Sequence, residues 1–268
     1  METTLKKFTG LYRTIDFNYP SNLFAIYCAL VALVVRLISS HSLALAVCAA
    51  GTAFTAWALA RELDPDHPGS ANTAAAITAL LGGLIIPEVR VFEAFLSVGF
   101  LMVGARAVVG STGLKPSDVD VWGMIAAVIL CTVLGWVSWV MVFYLALTFL
   151  NARNRFKLEP VLSSVFGLVL VLIFNAPSWL WLGFELILGL MNVFHAFWNP
   201  LTSLADNDLP LERGRMIMAQ VLVWSAALML ICLHHELVTV PIMTVGASIL
   251  LWQAFHRLPI ISNPQQVR

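Results

Sequence analysis

The chain has 268 residues, is 60% hydrophobic and 11% charged, and carries no net formal charge. A soluble domain of this size holds about a quarter charged residues, so this composition excludes a compact globule wetted on all sides. It fits one bilayer-embedded domain, and the absence of a basic face argues against nucleic acid as a partner.

The polar start, 1–21, contains Lys6, Lys7 and Arg13. The first apolar run, Asn22–Ile38, has no convincing small-residue cleavage site after it, so it reads as a retained span. Leu43–Ala60 follows. Its pairs Gly51/Thr55 and Thr52/Ala56 have the small-xxx-small spacing of close helix contact. Then comes a polar turn, "ARELDPDHPGSAN", with five ionisable residues: Arg61, Glu62, Asp64, Asp66 and His67. Asp64-Pro65 and His67-Pro68-Gly69 are turn signals, because proline disfavours helix at the residue before it. A solvated turn accounts for most of this composition. Arg61, Asp64, Asp66 and His67 are also candidate substrate contacts, and the Asp64, Asp66 and His67 atoms suit a hard divalent cation. The paired-aspartate motifs of membrane transferases that hold a diphosphate through Mg²⁺ are absent, so no metal or cofactor is assigned.

The short run Asn72–Ile86 ends in Gly82, Gly83 and Pro87. Val91–Val109, Val121–Leu150 and a second short run, Val161–Phe174, come next. The thirty residues of Val121–Leu150 would make a helix about 45 Å long, so that run must tilt, protrude or break.

Ser178–Trp198 carries the sharpest pattern. Glu185 lies seven residues after Ser178, Asn192 seven after Glu185, Asn199 seven after that, and His195 three beyond Asn192. At 3.6 residues per turn they share an arc of roughly 100° on one helix face. A charged Glu185 facing lipid would cost about 2.5–3.5 kcal/mol or more, so it must face the bundle, pair, or hold its proton. Arg36, Arg106 and His195 are its candidate partners. Such a residue is by default a site on a substrate or proton path; the bland reading is an inter-helix hydrogen bond. The loop "NPLTSLADNDLPLERGR" adds Asp206, Asp208, Glu212, Arg213 and Arg215. Met216–Leu233 and Leu237–Phe255 complete the apolar runs. Thr52, Thr55, Gln220, Ser225, Thr244, Ser248 and Trp224 read as packing groups, and His234-His235-Glu236 as an interface turn.

Charge sets the topology. If Asn72–Ile86 enters and leaves on one side, twelve of the fifteen Lys and Arg residues face the cytoplasm, all but Arg36, Arg106 and Lys115. Lys and Arg prefer that side. The expected fold is therefore an all-α, polytopic transmembrane bundle of eight spans plus one short or re-entrant helix, with nine spans as the alternative. Both termini are expected to be cytoplasmic, in a bacterial-type inner membrane.

No Gly-rich phosphate loop, nucleophile elbow, Cys–His pairing or family signature is present, and no lysine lies within an apolar core to hold a retinal-type Schiff base. The leading expectation is a small carrier or permease, proton-linked through Glu185. Its substrate-binding set is Glu185, Asn192, His195, Asn199, Arg61, Asp64, Asp66 and His67. One alternative is an integral-membrane enzyme acting on a lipid or isoprenoid headgroup through the Arg61–His67 and Asp206–Arg215 loops. Another is a non-catalytic subunit bound to a membrane-protein partner or to a second copy of itself.

Overall fold

The computed structural model describes residues 9–11, 13, 15–114, 116–120, 122, 123, 126, 179–199, 201–232 and 236–257. The predicted runs Val121–Leu150 and Val161–Phe174 lie almost wholly outside them. Among the described residues there are seven long helices: α1 (Pro20–Ser40), α2 (Leu43–Leu63), α3 (Pro68–Leu84), α4 (Glu88–Val109), α5 (Trp179–Trp198), α6 (Arg213–Cys232) and α7 (Glu236–Arg257). Among the described residues there is no strand, only one isolated bridge between Leu204 and Pro210. All the helices but α3 are long and apolar enough to cross a bilayer. The chain is an integral membrane protein of the helical class.

Local chemistry sets the helix ends. Pro20 and Pro68 open α1 and α3, where a missing N–H costs nothing. His41, in the left-handed region, ends α1, and Gly110, at φ 70°, ends α4.

Hydrogen bonds between helix ends fix the directions. At one end of the bundle, Ser21 Oγ donates to Asn72 Oδ1 (2.6 Å) and Trp57 Nε1 donates to Ser21 Oγ (3.1 Å). At the other end, Arg36 Nη1 donates to the Ile86 carbonyl (3.0 Å). So α3 runs alongside α1 in the same direction, from end to end. Arg106 Nε, near the end of α4, donates to Glu62 Oε1 at the end of α2 (2.7 Å). The last turn of α7 brings Trp252 against Gly69, and Thr78 meets Thr244 at mid-height (2.6 Å). The 61–67 turn thus shares one face, here the turn face, with the start of α1, the end of α4 and the start of α6.

Of the short and the re-entrant readings of Asn72–Ile86, this favours the short helix. The segment is one 17-residue helix, about 25 Å long, and it does not turn back. The charge count had placed Arg106 on the face opposite Arg61; the structure seats it beside Glu62, on the same face.

Small side chains make the close packing possible. Ala53, Ala56 and Ala60 of α2 and Ala71, Ala74 and Ala75 of α3 are fully buried, and Gly51 lies against the Phe95 ring. On α1 the buried residues Ser21, Ala25, Cys28, Ala32 and Arg36 form one stripe, and its other faces are exposed at the bundle's edge.

Candidate functional site

The 61–67 turn is folded down onto the helix ends instead of standing out in water. Asp64 is buried, and its Oδ1 lies 2.8 Å from His67 Nδ1. Ser70 Oγ donates to the His67 carbonyl (2.7 Å), which seats the first turn of α3. Asp66 reaches away to the 201–212 loop. It accepts from the Thr202 backbone N–H (3.1 Å), from Thr202 Oγ1 (3.0 Å) and from Ser203 Oγ.

These contacts set the charges. Burial works against the Asp66 carboxylate, but the bonds from Ser203 and Thr202 outweigh it and hold Asp66 below the usual carboxylate range. The bond to Asp64 raises His67 above the usual imidazole value. Burial opposes this, and the negative charges of Asp64 and Asp66 add to it.

Beneath the turn is a cleft of about 40 Å³, lined by Asp64, Asp66, His67, His195, Asn199 and Gln220, with Arg213 at its edge. At roughly 10–15 Å³ per water site, it has room for about three waters. Two sets of predicted site residues, from the turn and from the end of α5, therefore meet here although they are 128 to 135 positions apart. His195 and Asn199 are in side-chain contact.

The rest of the α5 stripe points inward. Glu185, Leu188 and Asn192 are buried, whereas Phe184, Ile187, Leu190, Met191 and Phe194 are exposed at the bundle's outer surface. Asn192 Nδ2 donates to the Leu188 and Gly246 carbonyls (2.9 and 3.3 Å), and its Oδ1 accepts nothing. Glu185 has no solvent exposure, and among the described residues neither of its carboxylate oxygens has a hydrogen-bond partner. It lies about 20 Å along the helix from Asn199. The expected partners are not there: Arg106 pairs with Glu62, Arg36 binds the Ile86 carbonyl at the far face, and His195 sits in the cleft.

One turn along α5 from Glu185, towards the cleft, the chain meets Trp224. Its indole packs against Gly189 of α5 and Gly246 of α7. Its Nε1 donates to Gln220 Oε1 (2.8 Å), and Gln220 Nε2 donates to the Leu63 carbonyl (2.9 Å). A chain of bonds thus ties the cleft wall to the turn.

The acidic loop disperses. Asp206 pairs with Arg13 (2.9 Å), Asp208 and Glu212 are exposed, and Arg215 donates to the Val108 and Ala107 carbonyls (2.6 and 3.2 Å). Among the described residues, no three His, Cys, Asp or Glu side chains converge as a metal-binding group. Sequence reasoning missed the Arg13–Glu62–Arg106 cluster and the Gln220–Trp224 link. Trp224 and Gln220 are four apart on one helix, a readable signal; Arg106 and Glu62 are 44 apart, and no local pattern joins them.

Comparison with known protein families, curated proteins and solved structures finds no match.

Proposed function

We propose that this chain is a small proton-linked carrier of a bacterial-type inner membrane, with the turn face in the cytoplasm. Among the described residues, Arg13, Arg61, Arg213 and Arg215 lie at the turn face without counting Arg106, which is paired with Glu62, and Arg36 and Arg90 lie at the far face. Cytoplasmic loops carry this excess of positive charge.

The observation that carries the reading is Glu185, a carboxyl group sealed inside a membrane bundle with neither oxygen bonded. A purely structural acid would be expected to spend its oxygens on donors, because leaving a buried polar group unmade costs about 1–3 kcal/mol. A group that takes up and releases a proton, or a cargo, keeps its acceptors open for part of its cycle. Asn192 continues the polar stripe towards the cleft, where His195, Asn199, Asp64 and His67 meet water. In this reading the arrangement is the closed one, with Trp224 packed on Gly189 along the way from Glu185 to the cleft, and transport requires that indole to move.

The test uses the purified full chain in liposomes that enclose a pH-sensitive dye. An imposed membrane potential should drive proton entry, faster in the presence of the transported solute, and Glu185→Gln should abolish it. Gln keeps the size and removes the titrating group, and unfolding in detergent checks that the variant is folded. Proton entry by a folded Glu185→Gln protein at the wild-type rate refutes the reading.

A further inference from the structure

A second cavity opens on the turn face, of about 100 Å³, lined by Arg13, Arg61, Glu62, Ser111 and Ser203 among others. It shares only Pro65 with the cleft beside Asp64, and the proposed transport makes no use of it.

Its chemistry is two-sided. Arg61 holds no ion pair among the described residues; its guanidinium lies 5.4 Å above the centre of the Tyr19 ring. Arg13 binds Asp206 at 2.9 Å and stands 3.9 Å from Glu62. Ser111 Oγ is buried and bonds nothing. All three line one cavity and are hydrogen-bond donors, the chemistry that suits an anion. Glu62 offers the opposite. It is 1% exposed, its Oε1 is taken by Arg106, and its Oε2 is buried without a partner. A bare anion would meet that oxygen as a like charge. A ligand that satisfies the whole cavity must present negative charge to the arginines and, a few ångströms away, an N–H donor to Glu62.

The cavity lies where α2 ends and the chain leaves the apolar layer, and Tyr19 beside Arg61 is the kind of side chain found at headgroup level. Basic pockets between helix ends on the cytoplasmic side are where lipid headgroups bind. We propose that this cavity docks a phosphoethanolamine-type group, its phosphate held by Arg61 and Arg13 and its ammonium by Glu62 Oε2. Phosphatidylethanolamine and free phosphoethanolamine share this chemistry.

Native mass spectrometry of the purified full chain, offered equal amounts of phosphatidylethanolamine, phosphatidylcholine and phosphatidylglycerol, tests the first source. The quaternary ammonium of phosphatidylcholine has no N–H, and phosphatidylglycerol has no cation for Glu62. Phosphatidylethanolamine should be retained about tenfold or more over both, the worth of one charge-assisted hydrogen bond, and Arg61→Gln should erase the preference. Arg61 holds no ion pair among the described residues, so this variant leaves the Glu62–Arg106 pair intact. In lipid-free detergent, free phosphoethanolamine against inorganic phosphate tests the second source. Tighter binding of phosphoethanolamine, lost in Arg61→Gln, supports the same site with a soluble occupant. Equal retention of the three lipids with phosphate binding as well as phosphoethanolamine, or any preference that survives Arg61→Gln, overturns the proposal.

Discussion

Replacing Gly246 by alanine should destabilise this protein although alanine is the better helix former. A Cβ built at Gly246 falls 2.3 Å from Trp224 Cη2, 2.8 Å from its Cζ2 and 3.0 Å from Leu188 Cγ. Ordinary carbon contacts lie at about 3.5–4.0 Å, so the indole would have to retreat by more than 1 Å. It has little room to do so. Trp224 is buried, its other side meets Gly189, and its Nε1 is held by Gln220, which is itself bonded to the Leu63 carbonyl. Overpacking of this kind costs about 1–3 kcal/mol, and a pinned aromatic ring puts the site at the upper end. Alanine recovers about 1 kcal/mol of helix propensity. The net loss is about 1–2 kcal/mol, a five- to thirtyfold fall in the folded-to-unfolded ratio. Unfolding in mixed micelles with a denaturing detergent, followed by circular dichroism, measures it. Gly99→Ala is the control, because a Cβ there meets nothing within 4 Å and only the propensity gain applies. Trp224→Phe removes the two ring atoms that clash, so in that background Gly246→Ala should cost less, a coupling that a double-mutant cycle reads directly. If Gly246→Ala is as stable as Gly99→Ala, the indole is not wedged between α5 and α7, and its assignment as the closed gate fails with it.

Two further predictions concern the turn. The folded protein holds His67 above its ordinary value of 6.5, so the imidazolium–carboxylate bond stabilises the turn in full below about pH 6.5. That stability is lost as pH rises through the folded value. Thermal stability of the wild type should therefore fall as pH rises above about 6.5, and the fall should flatten in Asp64→Asn; an unchanged slope in the variant would show that the pair is not the cause. Asp66→Ala removes the acceptor for Thr202 and Ser203, which should free the 201–212 loop from the turn while α2 and α3 stay intact. Hydrogen exchange at the Thr202 amide should speed up at least tenfold, and an unchanged rate would mean that the loop is held by other contacts.

The apolar runs read from sequence match the described helices to within four residues at each end: Val91–Val109 against Glu88–Val109, Met216–Leu233 against Arg213–Cys232. Most of the misses at the ends, those where the helix outruns the apolar stretch, have one cause. Hydropathy marks the part of a helix that lies in hydrocarbon, while the backbone continues helical into the polar layer until a cap stops it. Pro68 shows this best: the His67-Pro68-Gly69 signal marks a turn, yet proline at a first helical position starts α3 and does not delay it. The inward face of α5 was legible because a seven-residue recurrence returns to nearly the same side of a helix. The direction of α3 was not legible, because a charge count treats every arginine as if it belonged to a solvated loop. Arg106 does not: it is spent on Glu62.

That pair also bears on what distinguishes the two buried acids. Sequence does not say which of the two is paired: Glu62 ends a long apolar run among other charged residues, and Glu185 sits inside one. The fold gives Glu62 a guanidinium from a helix 44 positions away and places it at the end of the bundle. It gives Glu185 nothing and places it about 20 Å along α5 from the cleft. A carboxylate bonded to arginine can lose its proton and stay buried, because the paired charge remains. An unbonded one in the same surroundings cannot change state without drawing in water, a cation or a moving side chain. Changing the charge on Glu185 would therefore be coupled to a change of structure around α5, α6 and α7, and the proposed transport needs the Trp224 indole to give way there, against the packing and the hydrogen bond to Gln220 that hold it.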